Sequence, residues 1–211
     1  VLVFTILAML TGGAAEARLD FGAYYAQLHQ GQAWEAFSRT GKYADVVVQL
    51  PDGKLVFWRG NSYLPYWQTD KGRWNFPEII PRTGDGVEPM PDRANVYSHV
   101  EVIQNTPAAV VVYWRYLSSF TAGNPQGNVS LSNFADETFT ITPDGKVSRV
   151  IKQATEKADD WNDPLNQTEQ HLQLNENGVV EVSRQDPGHS TVFEKIAGNP
   201  GNKKTVVTPI L

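Results

Sequence analysis

Apolar and polar residues alternate with a period of two from Tyr43 onward, which is the pattern of β-strands that bury one face. Turn sequences rich in proline, aspartate, asparagine and glycine interrupt this alternation. Because such turns join neighbouring antiparallel strands, the pattern predicts hairpins around three of them: Pro51-Asp52-Gly53, Pro143-Asp144-Gly145 and Asn175-Glu176-Asn177-Gly178. The flanks of the two Pro-Asp-Gly turns have little similarity, so the turns do not indicate an internal repeat.

A fourth hairpin is predicted between Tyr97 and Tyr116, where two apolar runs flank a connection that contains Asn105 and Pro107. Alternation assigns one face of this hairpin to apolar residues: Val100, Val102, Val110, Val112 and Trp114. The opposite face then carries Tyr97, His99, Glu101, Tyr113 and Arg115. Symmetric closure around Thr106 predicts His99 opposite Tyr113, and Tyr97 opposite Arg115.

The first 42 residues have a different pattern. Residues 1–17 resemble the end of a signal peptide, because an apolar run is followed by the small-x-small sequence Ala15-Glu16-Ala17. Residues 18–42 are predicted to form a short helical segment, since Asp20 can cap a helix in which Phe21, Tyr24, Tyr25 and Leu28 recur at near-helical spacing.

The long connections contain many prolines and glycines, which excludes central strands or helices there: 76–95, 118–133 and 186–200. Many strands, long loops and little helix predict an all-β fold, an antiparallel, supersandwich-like β-sandwich over residues 43–211. The alternative fold is a set of β-propeller blades. Because the chain lacks an initiator methionine and ends in a strand-like sequence, we expect an incomplete domain that is truncated at its C-terminus.

Charge and composition exclude several classes of binding partner and of catalytic chemistry. The net charge is −5, and the longest basic run is Lys203-Lys204, so nucleic acid and anionic membrane surfaces are not expected partners. The absence of cysteine excludes disulfides and thiolate chemistry. Motifs of serine esterases, phosphate-binding loops, zinc peptidases and dinucleotide-binding folds are also absent.

The stretch from Lys54 to Trp74 is unusually aromatic. Flat rings and planar multi-donor groups suit the apolar faces and hydroxyl edges of sugars. The candidate substrate-binding residues are therefore Trp58, Arg59, Tyr63, Tyr66, Trp67 and Trp74. The alternative is that these aromatics belong to the core of the sandwich.

The polar face of the fourth hairpin suggests a catalytic alternative. β-Elimination of a uronic polysaccharide needs a base, an acid and a cation that neutralises the carboxylate, and histidine, tyrosine and arginine can fill these roles. The candidate catalytic residues are Tyr97, His99, Tyr113 and Arg115, with Arg59 as a second possible cation. An ordinary solvated strand surface would explain the same residues.

The spacing of the residues predicts no cofactor, and the one candidate metal is calcium. Asp159, Asp160, Asn162 and Asp163 supply oxygen ligands of the kind that calcium prefers, but a turn capped by these side chains before Pro164 explains them better.

Several phrases resemble the N-terminal region of large secreted bacterial proteins that carry laminin-G or concanavalin-like modules: KLVFWRGNSYLPYW, NVYSHVEVIQNTPAAVVVYWRY, DETFTITPDGKVSRVI and DDWNDPLNQTEQHLQL. The stretch DETFTITPDG is also similar to the mutarotase-like supersandwich of polysaccharide lyases. The resemblance covers residues 42–182 and implies a carbohydrate setting, with further domains in the same protein.

The expected function is therefore a carbohydrate-binding domain that is secreted, periplasmic or at the cell surface, and whose partner is a polysaccharide or oligosaccharide. After removal of the signal peptide, no membrane insertion is expected. The alternatives are a polysaccharide lyase and a structural cell-surface β-domain.

Overall fold

The computed structural model describes residues 20–28, 44–76, 79, 95–118, 134–153 and 157–185. These residues form two antiparallel sheets packed face to face, with strand order β1-β2-β3-β4-β5 in one and β11-β10-β9-β8-β7-β6 in the other. This confirms the predicted β-sandwich and not the alternative of propeller blades. The predicted signal peptide, the three long proline- and glycine-rich connections in most of their length, and the C-terminus lie outside the described residues.

The first sheet contains five short strands: β1 (Gly22–Ala26), β2 (Asp45–Leu50), β3 (Gly53–Phe57), β4 (Pro65–Thr69) and β5 (Gly72–Asn75). The prediction of a helix after Asp20 is wrong in its described part, because β1 pairs with β2 in an antiparallel register. Tyr24 lies opposite Val47 and Tyr25 opposite Val46, so the two tyrosines point to opposite faces of the sheet. A partner strand distant in sequence therefore overrides the helical spacing.

The second sheet contains six longer strands: β6 (His99–Asn105), β7 (Val110–Leu117), β8 (Phe134–Ile141), β9 (Lys146–Gln153), β10 (Gln167–Asn175) and β11 (Gly178–Gln185). All three hairpins predicted from turn residues are present, as β2–β3, β8–β9 and β10–β11. The segment after Arg59 forms a further hairpin, β4–β5, which closes through Asp70 and Lys71.

The fourth predicted hairpin, β6–β7, forms with its expected faces but a different register. His99 lies opposite Arg115 and Glu101 opposite Tyr113, so the predicted His99–Tyr113 and Tyr97–Arg115 pairs are wrong by two residues. The loop closes between Thr106 and Ala109 and not around Thr106, which shifts the pairing by more than two residues, and the unpaired residue of a bulge at Ile103 reverses part of that shift. His99 and Tyr113 still share one face, as predicted.

The core lies between the sheets and is rich in aromatic rings. Phe139 of β8 makes edge-to-face contacts with Phe57 and Phe76, at centroid distances of 5.0 and 5.9 Å. Trp67 from the first sheet and Trp114 from the second are almost fully buried in the same cluster. Within the described residues, no helix has the length and apolar character needed to cross a membrane.

The two ends of the sandwich differ. One end, which we call the tight-turn end, collects the short connections of both sheets: 51–52, 70–71, 106–109, 142–145 and 176–177. The opposite end, the loop end, is where the longer connections between β1 and β2, β3 and β4, β5 and β6, β7 and β8, and β9 and β10 leave and return. This segregation follows from antiparallel pairing, in which successive connections alternate between ends.

Candidate functional site

Most residues of the predicted aromatic segment are buried and have structural roles. Tyr63, Tyr66 and Trp67 are 2 %, 5 % and 0 % exposed, so they do not form the exposed sugar platform that the sequence suggested. The indole Nε1 of Trp67 donates a hydrogen bond of 2.8 Å to the carbonyl oxygen of Asn175, which ties the first sheet to the second. Alternation along β4 explains this, because Trp67 points inward with Leu55 opposite it.

The remaining candidate residues of that segment, Trp58, Arg59 and Trp74, also make contacts within the protein. Trp74 is half-buried over Gly178, and Trp58 packs at the margin of a small apolar cluster on the outer face of the first sheet, around Val47 and Val56. Arg59 is 3 % exposed and forms a buried ion pair with Asp45.

The Asp45–Arg59 pair joins separate parts of the first sheet. The Asp45 carboxylate accepts hydrogen bonds from the backbone N–H groups of Leu28 and Arg59, each at 2.7 Å, and Arg59 also donates to the carbonyl oxygen of Leu28. Burial nevertheless raises the pKa of Asp45, while these bonds oppose the rise. Arg59 is therefore a structural cation and not an exposed ligand group.

The predicted catalytic residues lie elsewhere, on the outer face of the second sheet near the loop end. The aromatic segment belongs to the first sheet, and its inward-facing residues are separated from this face by the core, so the two regions do not form one cleft. We call the second region the Arg115 surface and define it by six residues: Tyr97, His99, Tyr113, Arg115, Asp136 and Trp161.

Arg115 is the centre of this surface. Its Nε and Nη2 atoms donate to the two carboxylate oxygens of Asp136 at 2.7 and 2.8 Å, which is the bidentate geometry that fixes a guanidinium group. The pair forms because Arg115 and Asp136 are direct neighbours in the β7–β8 register. The Arg115 side chain is 44 % exposed while that of Asp136 is 9 % exposed, so a mostly buried carboxylate holds a solvent-facing cation.

Aromatic rings surround this guanidinium group. Its central carbon lies 5.3 Å from the ring of Trp161 and 5.9 Å from that of Phe134, within cation–π distance. Tyr97 makes an edge contact with Phe134 at 6.2 Å. Trp161 comes from a short 3-10 helix, Ala158–Asn162, which is anchored by a 3.2 Å hydrogen bond from Lys152 Nζ to Asn162 Oδ1.

Tyr113 and His99 complete the surface. Burial, together with the hydrogen bond and negative charge of Asp136, raises the pKa of Tyr113, so its phenol stays protonated and donates hydrogen bonds at neutral pH. His99 is 61 % exposed, and its Nε2 lies 3.6 Å from a carboxylate oxygen of Glu101. A neutral tyrosine does not act as a base, so Tyr113 is suited to hydrogen bonding or to the acid role, and His99 is the remaining candidate base.

Asp136 and Trp161 were not predicted as site residues. Asp136 lies beside Arg115 because β8 pairs with β7. The long connection between these strands leaves their register unspecified in a single sequence. Trp161 stood within the candidate calcium loop, where its neighbours were considered only as oxygen ligands.

The calcium prediction gains no supporting geometry. The described part of the chain contains no group of three or more His, Cys, Asp or Glu side chains that could hold a metal ion. Asp163 Oδ1 instead accepts a hydrogen bond from the backbone N–H of Leu165 at 2.9 Å, which caps the next 3-10 turn. This is the capped turn that the sequence favoured.

A second polar feature lies inside the sandwich. A row of hydrogen-bonded side chains crosses the inner face of the second sheet from β7 to β11: Tyr116, Glu137, Arg149, Gln170, Glu181 and Arg184. Glu137 and Arg149 are fully buried and paired at 2.6 Å. The sequence contains a signal for this buried pair, because alternation places Glu137 on the same face of its strand as the apolar residues Phe139 and Ile141. Arg149 likewise occupies an inward position of its strand.

The chain matches no protein-family model, no curated protein and no solved structure. The resemblance to secreted proteins with laminin-G modules and to the mutarotase-like supersandwich therefore stays a prediction. The geometry of the Arg115 surface carries the functional interpretation.

Proposed function

We propose that this protein is a glycan-binding domain, exported from the cell, that contacts polysaccharide or oligosaccharide through the Arg115 surface. The observation that carries the proposal is the exposed guanidinium of Arg115, which is fixed by Asp136 beside the half-buried ring of Trp161. A rigid planar donor next to an indole ring supplies the two contacts that a sugar ring needs, hydrogen bonds at its hydroxyl edge and packing against its C–H face.

The rigidity of this surface supports binding. The bidentate pair fixes the guanidinium group before a ligand arrives, and the strands carry every member except Tyr97 and Trp161. A site whose side chains are already ordered loses less conformational entropy on binding. The raised pKa of Tyr113 disfavours its role as the base of a lyase, so the lyase alternative depends on His99 as the base.

Two arginine substitutions test the location of the site. Arg115→Met removes the proposed donor, whereas Arg73→Met removes a comparable arginine of the first sheet, whose guanidinium lies 4.4 Å from the ring of Tyr66. Retention of the full chain on a panel of immobilised polysaccharides would be measured by affinity electrophoresis. We expect Arg115→Met and Trp161→Ala to weaken binding at least about tenfold, as for residues central to an interface, and Arg73→Met to leave it unchanged.

Each other result is informative. Loss of binding in Arg73→Met alone would move the site to the first sheet. Unchanged binding in Arg115→Met and Trp161→Ala would exclude the Arg115 surface. Binding accompanied by release of an unsaturated sugar product would favour the lyase, and no retention by any polysaccharide would favour a structural cell-surface domain.

A further inference from the structure

We infer that the Arg115 surface selects neutral, hydroxyl-rich glycans and discriminates against glycans that carry carboxylates, an inference that rests on the glycan-binding function proposed above. It reverses the role expected from sequence, in which Arg115 would neutralise a uronate.

The charge of Arg115 is already matched. Both carboxylate oxygens of Asp136 are bonded to the guanidinium group of Arg115. Asp136 is mostly buried, so water has little access to compete for these bonds. A carboxylate on a sugar would have to share Arg115 with Asp136 at close range. Two carboxylates around one cation repel each other, and an anionic ligand therefore gains little from this arginine.

The neighbouring charges act in the same direction. Glu101 lies next to His99 with its side chain 60 % exposed, and the segment that carries Trp161 adds Asp160 and Asp163. Besides the Arg115–Asp136 pair, the cations of this region are Lys152 and Lys157, and Lys152 is bonded to Asn162. Carboxylates thus outnumber cations around the surface, and the net charge of the whole chain is −5, so a polyanion would approach against a repulsive field.

Hydroxyl groups meet suitable partners here. Arginine has five N–H donors, of which two point at Asp136. The phenol of Tyr113 is hydrogen-bonded to Asp136, so its oxygen remains an acceptor for a sugar hydroxyl, and Thr138, its direct neighbour in the β7–β8 register, adds a second hydroxyl group. Sugar hydroxyls can pair with these groups without adding charge.

Matched polymers test this selectivity. Neutral glucans, mannans and galactans would be compared with the same polymers after oxidation of their C6 hydroxyls to carboxylates. We expect each neutral polymer that binds to be retained at least about tenfold more strongly than its oxidised form, with little change as the Debye length falls from about 30 Å at 0.01 M salt to about 8 Å at 0.15 M. Stronger, salt-sensitive retention of the oxidised forms would overturn the inference while leaving glycan binding intact, and no retention of either form would overturn both.

Two variants separate charge selectivity from structure. Asp136→Asn frees the positive charge of Arg115 and should give salt-dependent binding of the oxidised polymers. Because Asp136 is mostly buried and its replacement can perturb folding, exposed Glu101→Gln serves as the second variant, with an expected gain of about twofold to fivefold for oxidised polymers only. No change of selectivity in Glu101→Gln, or in folded Asp136→Asn, would contradict the inference.

Discussion

The tight-turn end and the loop end of this sandwich use polar groups differently. Every buried polar or charged residue of the described chain lies between the middle of the sheets and the loop end: Asp45, Arg59, Ser62, Asn95, Ser98, Ser118, Asp136, Glu137, Arg149 and Gln170. The tight-turn end is joined by exposed contacts, such as the 2.9 Å ion pair between Lys71 and Glu176. Burying a charge destabilises the fold unless the charge is paired. Substitutions of these polar residues are therefore tolerated less well in the half that contains them.

Backbone conformation follows the same division. Ser62, Tyr63 and Asn95 have φ values of 47°, 65° and 52°, and these non-glycine residues with positive φ all lie at the loop end. At the tight-turn end, glycines adopt the positive φ values, including Gly145 at 78°. Glycine reaches this region at little cost, whereas other residues there store strain of the kind found at functional sites. The tight-turn end therefore maintains the fold, whereas the loop end holds the strained backbone and the buried charge.

The largest expected effect comes from breaking the buried row. Arg149→Met removes the partner of the fully buried Glu137, and we expect the free energy of unfolding to fall by about 3–5 kcal/mol, because an uncompensated buried charge remains. Urea denaturation monitored by tryptophan fluorescence measures this change.

The matched control for Arg149→Met is Lys71→Met, which breaks the exposed ion pair with Glu176. Its expected cost is at most about 1 kcal/mol, since water and salt screen exposed pairs. Equal losses in the two variants would show that the two halves do not differ in how they use charge.

The next largest effect is expected at the tight-turn end, in the turn between β8 and β9. In Gly145→Ala, the new Cβ would meet the carbonyl oxygen of Leu174 at 2.5 Å on a backbone with positive φ. We expect a loss of about 1–3 kcal/mol, measured by urea denaturation, because both strain and a close contact oppose the methyl group.

Asp52→Ala, in the other Pro-Asp-Gly turn, is the control for Gly145→Ala. Asp52 is exposed, and its replacement should change stability by no more than about 0.5 kcal/mol. If Gly145→Ala were equally mild, the turns would not depend on their glycines.

These turns also explain which parts of the fold could be predicted from sequence. Hairpins closed by Pro-Asp-Gly or Asn-Gly depend on residues adjacent in the chain, so local chemistry specifies them. Strand β1 was misassigned because its pairing with β2 is non-local and its aromatics have helix-like spacing. The register of β6–β7 was wrong because alternation reveals neither the closure of the loop between Thr106 and Ala109 nor the bulge at Ile103.

The site was predicted only in part for the same reason. Alternation placed His99, Tyr113 and Arg115 on one outer face, and the structure confirms that they share it. Asp136 and Trp161 reach Arg115 from segments after the β7–β8 connection, so their proximity depends on pairings that a single sequence does not fix. The aromatic segment failed as a platform because ring type alone does not distinguish a core tryptophan such as Trp67 from an exposed one.

A smaller effect is expected where β1 meets β6. The side chain of Asn105 accepts from the backbone N–H of Ala23 at 3.0 Å and donates to its carbonyl oxygen at 2.9 Å, so it imitates a pairing strand. Asn105→Ala should cost about 1–2 kcal/mol through loss of two exposed hydrogen bonds.

Hydrogen exchange resolves the Asn105→Ala effect by position. Amides of β1 should lose protection while those of β8 and β9 keep theirs, because local opening needs less energy than global unfolding. Gln104→Ala is the control, since Gln104 makes only a long 3.5 Å contact with Thr106. Uniform loss of protection across both sheets would mean that β1 is part of the cooperative core.

The smallest effect concerns two aspartates, one from each half, whose pKa values shift in opposite directions. Hydrogen bonds from Lys146 and Thr142 lower the pKa of exposed Asp144 from 3.8 to about 2, whereas burial raises that of Asp45 above 3.8. The lowered pKa means that Asp144 contributes stability above pH 3.8, and that this contribution is lost as the pH falls toward 2. The raised pKa has the opposite sign, so proton uptake by Asp45 favours the folded state, and this advantage is lost as the pH rises from 3.8 through its folded value.

Carboxyl carbon NMR titration of the folded chain measures both groups in one experiment. We expect the Asp144 midpoint below 3.8 and the Asp45 midpoint above it. Lys146→Ala should return Asp144 toward 3.8 and leave Asp45 unchanged, because Lys146 contacts Asp144 at 2.5 Å and belongs to the other half of the molecule from Asp45. Coincident midpoints would contradict the difference between the two ends. They would show that burial at the loop end and exposure at the tight-turn end have the same effect on the pKa of a carboxylate.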